Sequence, residues 1–285
     1  MALVVSQLGG SSNAIAEELL RIGACASTTQ QVYIPAGTFW MGSSRDEREY
    51  AYRLDRGITR NYGWYEKEQR KLITTADFCI DRFPTTNAQY RTFIERTRRP
   101  APFISESAYR AQGFLVHPYD KVKAFIWLDG SFPQGKGDHP VVLVSHRDAE
   151  EYCAWIGPIA KRNSRLPTES EWEKAARGTS GRYFPWGNEW KPKNLNSGER
   201  YKTTTSVGLF PDGQSPYGVY DMVGNVFEWT GSQWDKNFVV KGCSWDDLPG
   251  TCRAAMRHGR PPQSKHILIG FRCASDMEYR HKASQ

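Results

Sequence analysis

No apolar run in this chain of 285 residues approaches the roughly 18 needed for a membrane-crossing helix. No CxxC pair occurs, which excludes a zinc ribbon, and the six histidines show no HxxxH or HxxH spacing. Internal repeats and low-complexity tracts are absent. A concentrated basic tract is also missing. Between residues 45 and 99, 13 Lys/Arg alternate with 9 Asp/Glu, and from residue 241 onward 8 alternate with 4. The net charge of +7 therefore reads as a mixed, solvated surface and argues against a nucleic-acid partner. Six cysteines are too sparse for a fold built on disulfides. Met1 to Ser11 is mildly apolar but lacks the basic start of a secretory leader. The default expectation is a cytoplasmic chain with mostly free thiols.

What the chain has in quantity is aromatic and turn-forming residues. Aromatics make up 13%, with 10 Trp, beside 25 Gly and 16 Pro. That composition predicts a loop-rich α+β fold pinned by large rings, with short helices and short antiparallel strands. Residues 1–31 read as a lead-in, in which Asn13 to Arg21 can form a short helix. The main domain is expected over 32–275, followed by a tail over 276–285. It opens on Val32 to Gly42, where Pro35-Ala36-Gly37 between two apolar segments suggests a hairpin. Residues 43–72 are polar with scattered aromatics and read as an insertion; Ile73 to Phe83 reads as a strand. Three helix starts follow. Thr86-x-x-Gln89 is a capping box, Ser145-x-x-Asp148 opens a second helix and Thr168-x-x-Glu171 a third, which Gly178 stops. Residues 99–140 should be largely loop.

Several motifs stand in one order. They include Ile34-Pro35-Ala36-Gly37, Thr86-Asn87-Ala88-Gln89-Tyr90 and Arg165-Leu166-Pro167-Thr168-Glu169. Pro185-Trp186-Gly187-Asn188, Tyr220-Asp221-Met222-Val223-Gly224-Asn225 with Glu228-Trp229, and Gly242-Cys243-Ser244-Trp245 with Gly270-Phe271-Arg272-Cys273 follow. Over about residues 32–275 the chain resembles the formylglycine-generating enzyme, or sulfatase-modifying factor, family. The resemblance implies a C-type-lectin-like fold. It also implies a calcium site from Asp221, the carbonyls of Gly224 and Val226, and Glu228, with a second site nearest Asn196. Calcium favours six to eight hard oxygens. The competing reading is that Asp221 caps a turn and Glu228 pairs with an arginine. Cys153 and Cys273 occupy positions that the enzymes use for a structural bridge and should be neighbours, as a disulfide or as two thiols.

In the enzymes two thiolates hold copper(I), one cysteine lying two residues after the motif tryptophan and the other seven after it. Here those offsets from Trp245 are Asp247 and Cys252. A carboxylate is a poor ligand for that soft ion. Counted back from Arg253, the loop is about three residues shorter than in the enzymes, which moves Cys252 off the catalytic position. Cys243 replaces a glycine and can meet Cys252 as a metal or redox pair, or be a small buried residue beside a loop thiol.

Two functions follow. One is a binding module that presents residues 230–270 to a protein or small-molecule ligand. Its candidate contacts are Asp246, Asp247, Leu248, Pro249, Thr251, Met256, His258, Arg260 and Gln263. In some phage and bacterial relatives a retroelement diversifies this segment, which would place the chain on a surface or a phage particle. The other is a copper-dependent thiol oxidase using Cys252 with Cys243 or Asp247.

Overall fold

Aromatic and aliphatic side chains spaced at helical and strand intervals gather into one main core and smaller ones beside it. In this computed structural model, residues 25, 30–113, 116–160 and 162–277 are described. The expected helix over 13–21 and most of the tail lie outside them.

The strands are β1 (Gln31–Ile34), β2 (Gly37–Met41), β3 (Lys71–Thr75), β4 (Phe78–Asp81), β5 (Ser164–Arg165), β6 (Phe227–Trp234), β7 (Asn237–Lys241), β8 (Arg257–Arg260), β9 (Ile269–Phe271) and β10 (Ala274–Asp276). They form sheets in the orders β1-β4-β10-β5, β2-β3 and β8-β7-β6-β9. Pairing is antiparallel except for β6 with β9, which is parallel. The helices are α1 (Arg45–Leu54), α2 (Asn87–Thr97), α3 (Glu106–Ala111), α4 (Tyr119–Lys123), α5 (His146–Ile159) and α6 (Glu169–Arg177).

The three helix starts form as their sequences predict. Thr86, Ser145 and Thr168 each accept a backbone N–H from the third helical residue, and Gln89, Asp148 and Glu171 reach back to the cap. Gly178, at φ +68°, ends α6. The α2–α5 pair buries Tyr90, Phe93 and Tyr152, and of these Tyr90 and Tyr152 meet Phe271 of β9. Trp229 and Trp245 complete this core. Residues 99–140 include α3 and α4 within mostly irregular chain.

Two local expectations are corrected. Pro35-Ala36-Gly37 does not close a hairpin: β1 pairs with β4 and β2 with β3, so the turn passes the chain from one sheet to another. Ile73 to Phe83 is not one strand, because the chain breaks between β3 and β4 to serve those two sheets.

Residues 43–72 are bolted to the terminal motif by charges taken out of water. Glu47 pairs with Arg177 at 2.8 Å and with Arg253 at 3.2 Å, and Glu68 accepts from both terminal nitrogens of Arg253. Asp55 accepts the Gly250 N–H at 2.7 Å and bonds Tyr65. All of these charged side chains are at most 2% exposed. Such a network is costly to desolvate, and losing any one partner would leave an uncompensated buried charge.

The thiol expectation is also corrected. Cys25 joins Cys79, Cys153 joins Cys273 and Cys243 joins Cys252, leaving no free cysteine among the described residues. Only the proximity of Cys153 and Cys273 followed from the family resemblance.

Candidate functional site

Strand β7 delivers the chain to Gly242, whose φ of +81° turns it under the ring of Trp172. A Cβ at Gly242 would meet the Met222 carbonyl at 3.1 Å and the Trp172 ring at 3.3 Å, so a side chain there is crowded as well as strained by the positive φ. Cys243 follows, fully buried, with its sulfur accepting the Gly224 N–H at 3.0 Å. Its disulfide partner Cys252 is also 0% exposed, with 4.9 Å between the Cα atoms. The two candidate catalytic sulfurs are thus brought together, but bonded to each other and sealed from solvent.

Beyond the disulfide lies a polar cluster. The Ser244 hydroxyl donates to Asp246 Oδ1 at 2.6 Å and also to Asp247. Asp247 further accepts the Ser244 N–H at 2.8 Å. His117 Nε2 bonds Asp246 Oδ2 at 2.9 Å, and its ring stacks on Trp245 with centroids 4.9 Å apart. The Lys121 ammonium lies 4.4 Å from the centroid of the Trp245 ring. Burial, with the neighbouring Asp246 charge, pushes Asp247 up to about 7. Asp247 is therefore a turn-forming acid that resists ionisation.

That shift sets a pH dependence. A carboxyl with a raised folded pKa holds its proton where the unfolded chain has lost it, so stability falls as pH rises from the unfolded value near 4 to about 7. Burial raises Asp81 and Asp221 to about 6 with the same sign. His139, His146 and His258, shifted down mainly by burial, contribute with the opposite sign, so the expectation is for the difference. The melting temperature of Asp247→Asn relative to the parent should rise between about pH 4 and 7. A difference between variant and parent that does not change with pH, measured by thermal unfolding at several pH values, would count against the assignment.

The proposed calcium ligands have other commitments. Glu228 is 0% exposed, and its two oxygens accept from Arg272 at 2.6 and 2.7 Å, with a third bond from Trp172 Nε1 at 2.8 Å. Asp221 accepts the Gly208 N–H at 2.7 Å, and the Gly224 carbonyl accepts the Val226 N–H at 2.9 Å. A cation placed among Asp221, Gly224, Val226 and Glu228 would face the Arg272 guanidinium, so this arrangement does not fit calcium. Asn196 Oδ1 is buried without a hydrogen-bond donor. Among the described residues, no group of three or more His, Cys, Asp or Glu side chains converges as a metal site.

The candidate ligand contacts divide. Asp246, Asp247, Leu248 and Pro249 are partly exposed on the loop after Trp245, His258 and Arg260 are partly exposed on β8, and Gln263 is exposed. Thr251 and Met256 are corrected: both are 0% exposed. Met256 packs with Ala51, Tyr52 and Tyr65, and the Thr251 hydroxyl lies 3.4 Å from that of Tyr65. They face inward because residues 43–72 cover them.

Sequence reasoning missed a second wall. Tyr62, Trp64 and Lys67 face β8 and Trp234 across a cleft of about 260 Å³. The available signal was the aromatic content of Asn61-Tyr62-Gly63-Trp64-Tyr65 within an otherwise polar segment. It also missed His117, whose partner Asp246 is 129 residues away.

A family model described as the sulfatase-modifying factor enzyme 1-like domain matches residues 19–277. The chain belongs to this family. Among curated relatives of this sulfatase-modifying factor member, the inactive C-alpha-formylglycine-generating enzyme 2 of Bos taurus is 33% identical over 87% of the chain and 88% of that protein. The formylglycine-generating enzyme of Mus musculus is 30% identical over 87% of the chain and 75% of that protein. Among solved structures, PvdO from Pseudomonas aeruginosa superposes with a TM-score of 0.67 at 24% identity, covering 89% of the chain and 97% of PvdO. That likeness shows the fold, the formylglycine-generating, C-type-lectin-like type.

Proposed function

We propose that this sulfatase-modifying factor member is a noncatalytic binding module that presents residues 230–270, backed by residues 43–72, to a ligand. The observation that carries this reading is the fully buried Cys243–Cys252 disulfide. Thiol oxidation of the formylglycine-generating type needs thiolates that copper(I) and a substrate cysteine can both reach. Here the sulfurs are oxidised and inaccessible, and Asp247 occupies one enzyme offset with a hard carboxylate tied to Ser244. Three disulfides further favour an oxidising compartment over the cytoplasm.

Similarity to both active and inactive formylglycine-generating enzymes leaves chemistry in the site, not family membership, to decide between the readings. Native protein is expected to bind no stoichiometric copper(I) and to oxidise no cysteine-containing peptide. Copper titration with oxygen-consumption measurements tests both points.

A further inference from the structure

We propose that the cleft between residues 62–67 and the β6–β7 hairpin is a carbohydrate site that takes a neutral sugar ring. The proposal rests on the binding-module reading and gives it a site and a ligand class. Trp234, Asp235 and Asn237 of the hairpin line one side, β8 another, and Tyr62, Trp64 and Lys67 stand across from them. The space is therefore a bounded cleft and not an open strand edge. Its volume of about 260 Å³ lies near the lower end of small-ligand sites and takes about one sugar unit. Gly259 has no side chain where a Cβ would meet the Asn237 Cβ at 3.2 Å and the Trp234 ring at 3.5 Å. The hairpin thus packs close against β8, and no side chain from Gly259 fills the cleft.

The walls carry two kinds of group. Tyr62 and Trp64 lie 5.5 Å apart and are 69% and 39% exposed. Aromatic faces carry partial negative charge, and the weakly positive C–H face of a sugar ring packs on them without needing a charge of its own. Around these rings stand groups with hydrogen bonds still to make. Among the described residues, the side chains of Asp235, Asn237 and His258 make no hydrogen bond, and the Lys67 ammonium meets only the Trp234 ring, at 5.2 Å. A carboxylate accepts, an ammonium donates, and an amide and a neutral imidazole do both. A sugar hydroxyl both donates and accepts, so it can pair with each of them. Burial holds His258 neutral, and its ring meets those of Trp64 and Phe227 at 5.6 and 5.5 Å.

Charge selects a neutral ligand. The Arg257 guanidinium lies 4.2 Å from the Trp234 ring centroid, but its charge is paired with Glu169 at 2.9 Å. Arg260 interacts with Asp247. Lys67 and Asp235 remain, one of each sign, so the cleft offers no net charge to an acidic or a basic partner. The aromatic wall is also set before binding. Tyr65, next to Trp64, bonds Asp55, and Glu68, next to Lys67, pairs with Arg253. Such preorganisation lowers the ordering cost of binding.

The test applies the intact, fluorophore-labelled protein to a printed array of neutral and acidic oligosaccharides, then titrates the retained ones by calorimetry. Neutral oligosaccharides should be retained. Their Kd should rise about tenfold for Trp64→Ala, from lost stacking, and about tenfold for Asp235→Ala at the exposed hairpin turn, from a lost charged hydrogen bond. If Trp64→Ala does not fold, Asp235→Ala decides alone. Trp40→Ala, at an aromatic ring exposed to a similar degree outside the cleft, should leave the affinity unchanged. Raising the salt concentration should also leave it unchanged, because no ion pair forms with the ligand. Retention of no oligosaccharide or of acidic ones alone would overturn the proposal. So would an affinity that falls with salt, binding indifferent to either folded cleft variant, or an equal loss in Trp40→Ala. Those results leave the noncatalytic reading standing, because copper titration judges that separately.

Discussion

Arg272→Met should be among the most damaging single substitutions in this protein, costing about 3–5 kcal/mol of folding stability. Arg272 and Glu228 are both 0% exposed, and Arg272 donates to both Glu228 oxygens at 2.6 and 2.7 Å. It also reaches the carbonyls of Asp81 at 3.1 Å and Tyr220 at 2.9 Å, joining β4, the 220–228 turn and the chain after β9. Methionine fills much of the volume but leaves the Glu228 carboxylate buried with the Trp172 N–H as its remaining donor. Urea unfolding measures the loss, and for a chain of this size the melting temperature should drop by roughly 10 °C. Adding Glu228→Gln removes the stranded charge and should recover a large part of that loss. A single-variant cost below about 1 kcal/mol would contradict the assignment.

The second large effect concerns the disulfide between Cys153 in α5 and Cys273, just before β10. Its partners are 120 residues apart. A cross-link closing so long a loop removes more freedom from the unfolded chain than a short one, by loop-closure entropy about 5 kcal/mol. Replacing both cysteines with alanine should therefore cost about 4–5 kcal/mol. The same replacement at Cys243 and Cys252, only nine residues apart, should cost about 2–3 kcal/mol. Urea unfolding of the two double variants tests the ranking. Equal losses would show that loop-closure entropy does not set the cost of removing either bridge.

The parts of this fold that depend on neighbours in sequence were legible. Thr86 with Gln89, Ser145 with Asp148 and Thr168 with Glu171 each complete their cap within three residues. The motif order led to the family and its fold because the motifs carry turn glycines and core tryptophans. What required distant partners was hidden. Pro35-Ala36-Gly37 has the composition of a hairpin turn, yet β1 finds its partner at β4 and β2 at β3. Glu47, Asp55 and Glu68 read as solvated charges, because their partners Arg177, Gly250 and Arg253 lie more than a hundred residues away.

The site divides along the same line. The offset from Trp245 identified Asp247 as the replacement for a thiolate, and the structure places it on Ser244 within the same turn. Thr251 and Met256 seemed available to a ligand because nothing local marks them as covered. Their cover is the 43–72 segment, folded against them from the other end of the chain. The pairing of Cys25 with Cys79 was likewise not predicted, since six cysteines allow many connectivities, whereas that of Cys243 with Cys252 was one of two alternatives the nine-residue spacing left open.

Copper(I) titration of the native protein, with and without prior reduction, tests the central claim most directly. A buried Cys243–Cys252 disulfide predicts no stoichiometric copper on native protein and no oxygen-dependent turnover of a cysteine-containing peptide in either state. One copper(I) per chain, lost in Cys252→Ser and accompanied by peptide oxidation, would contradict the noncatalytic account.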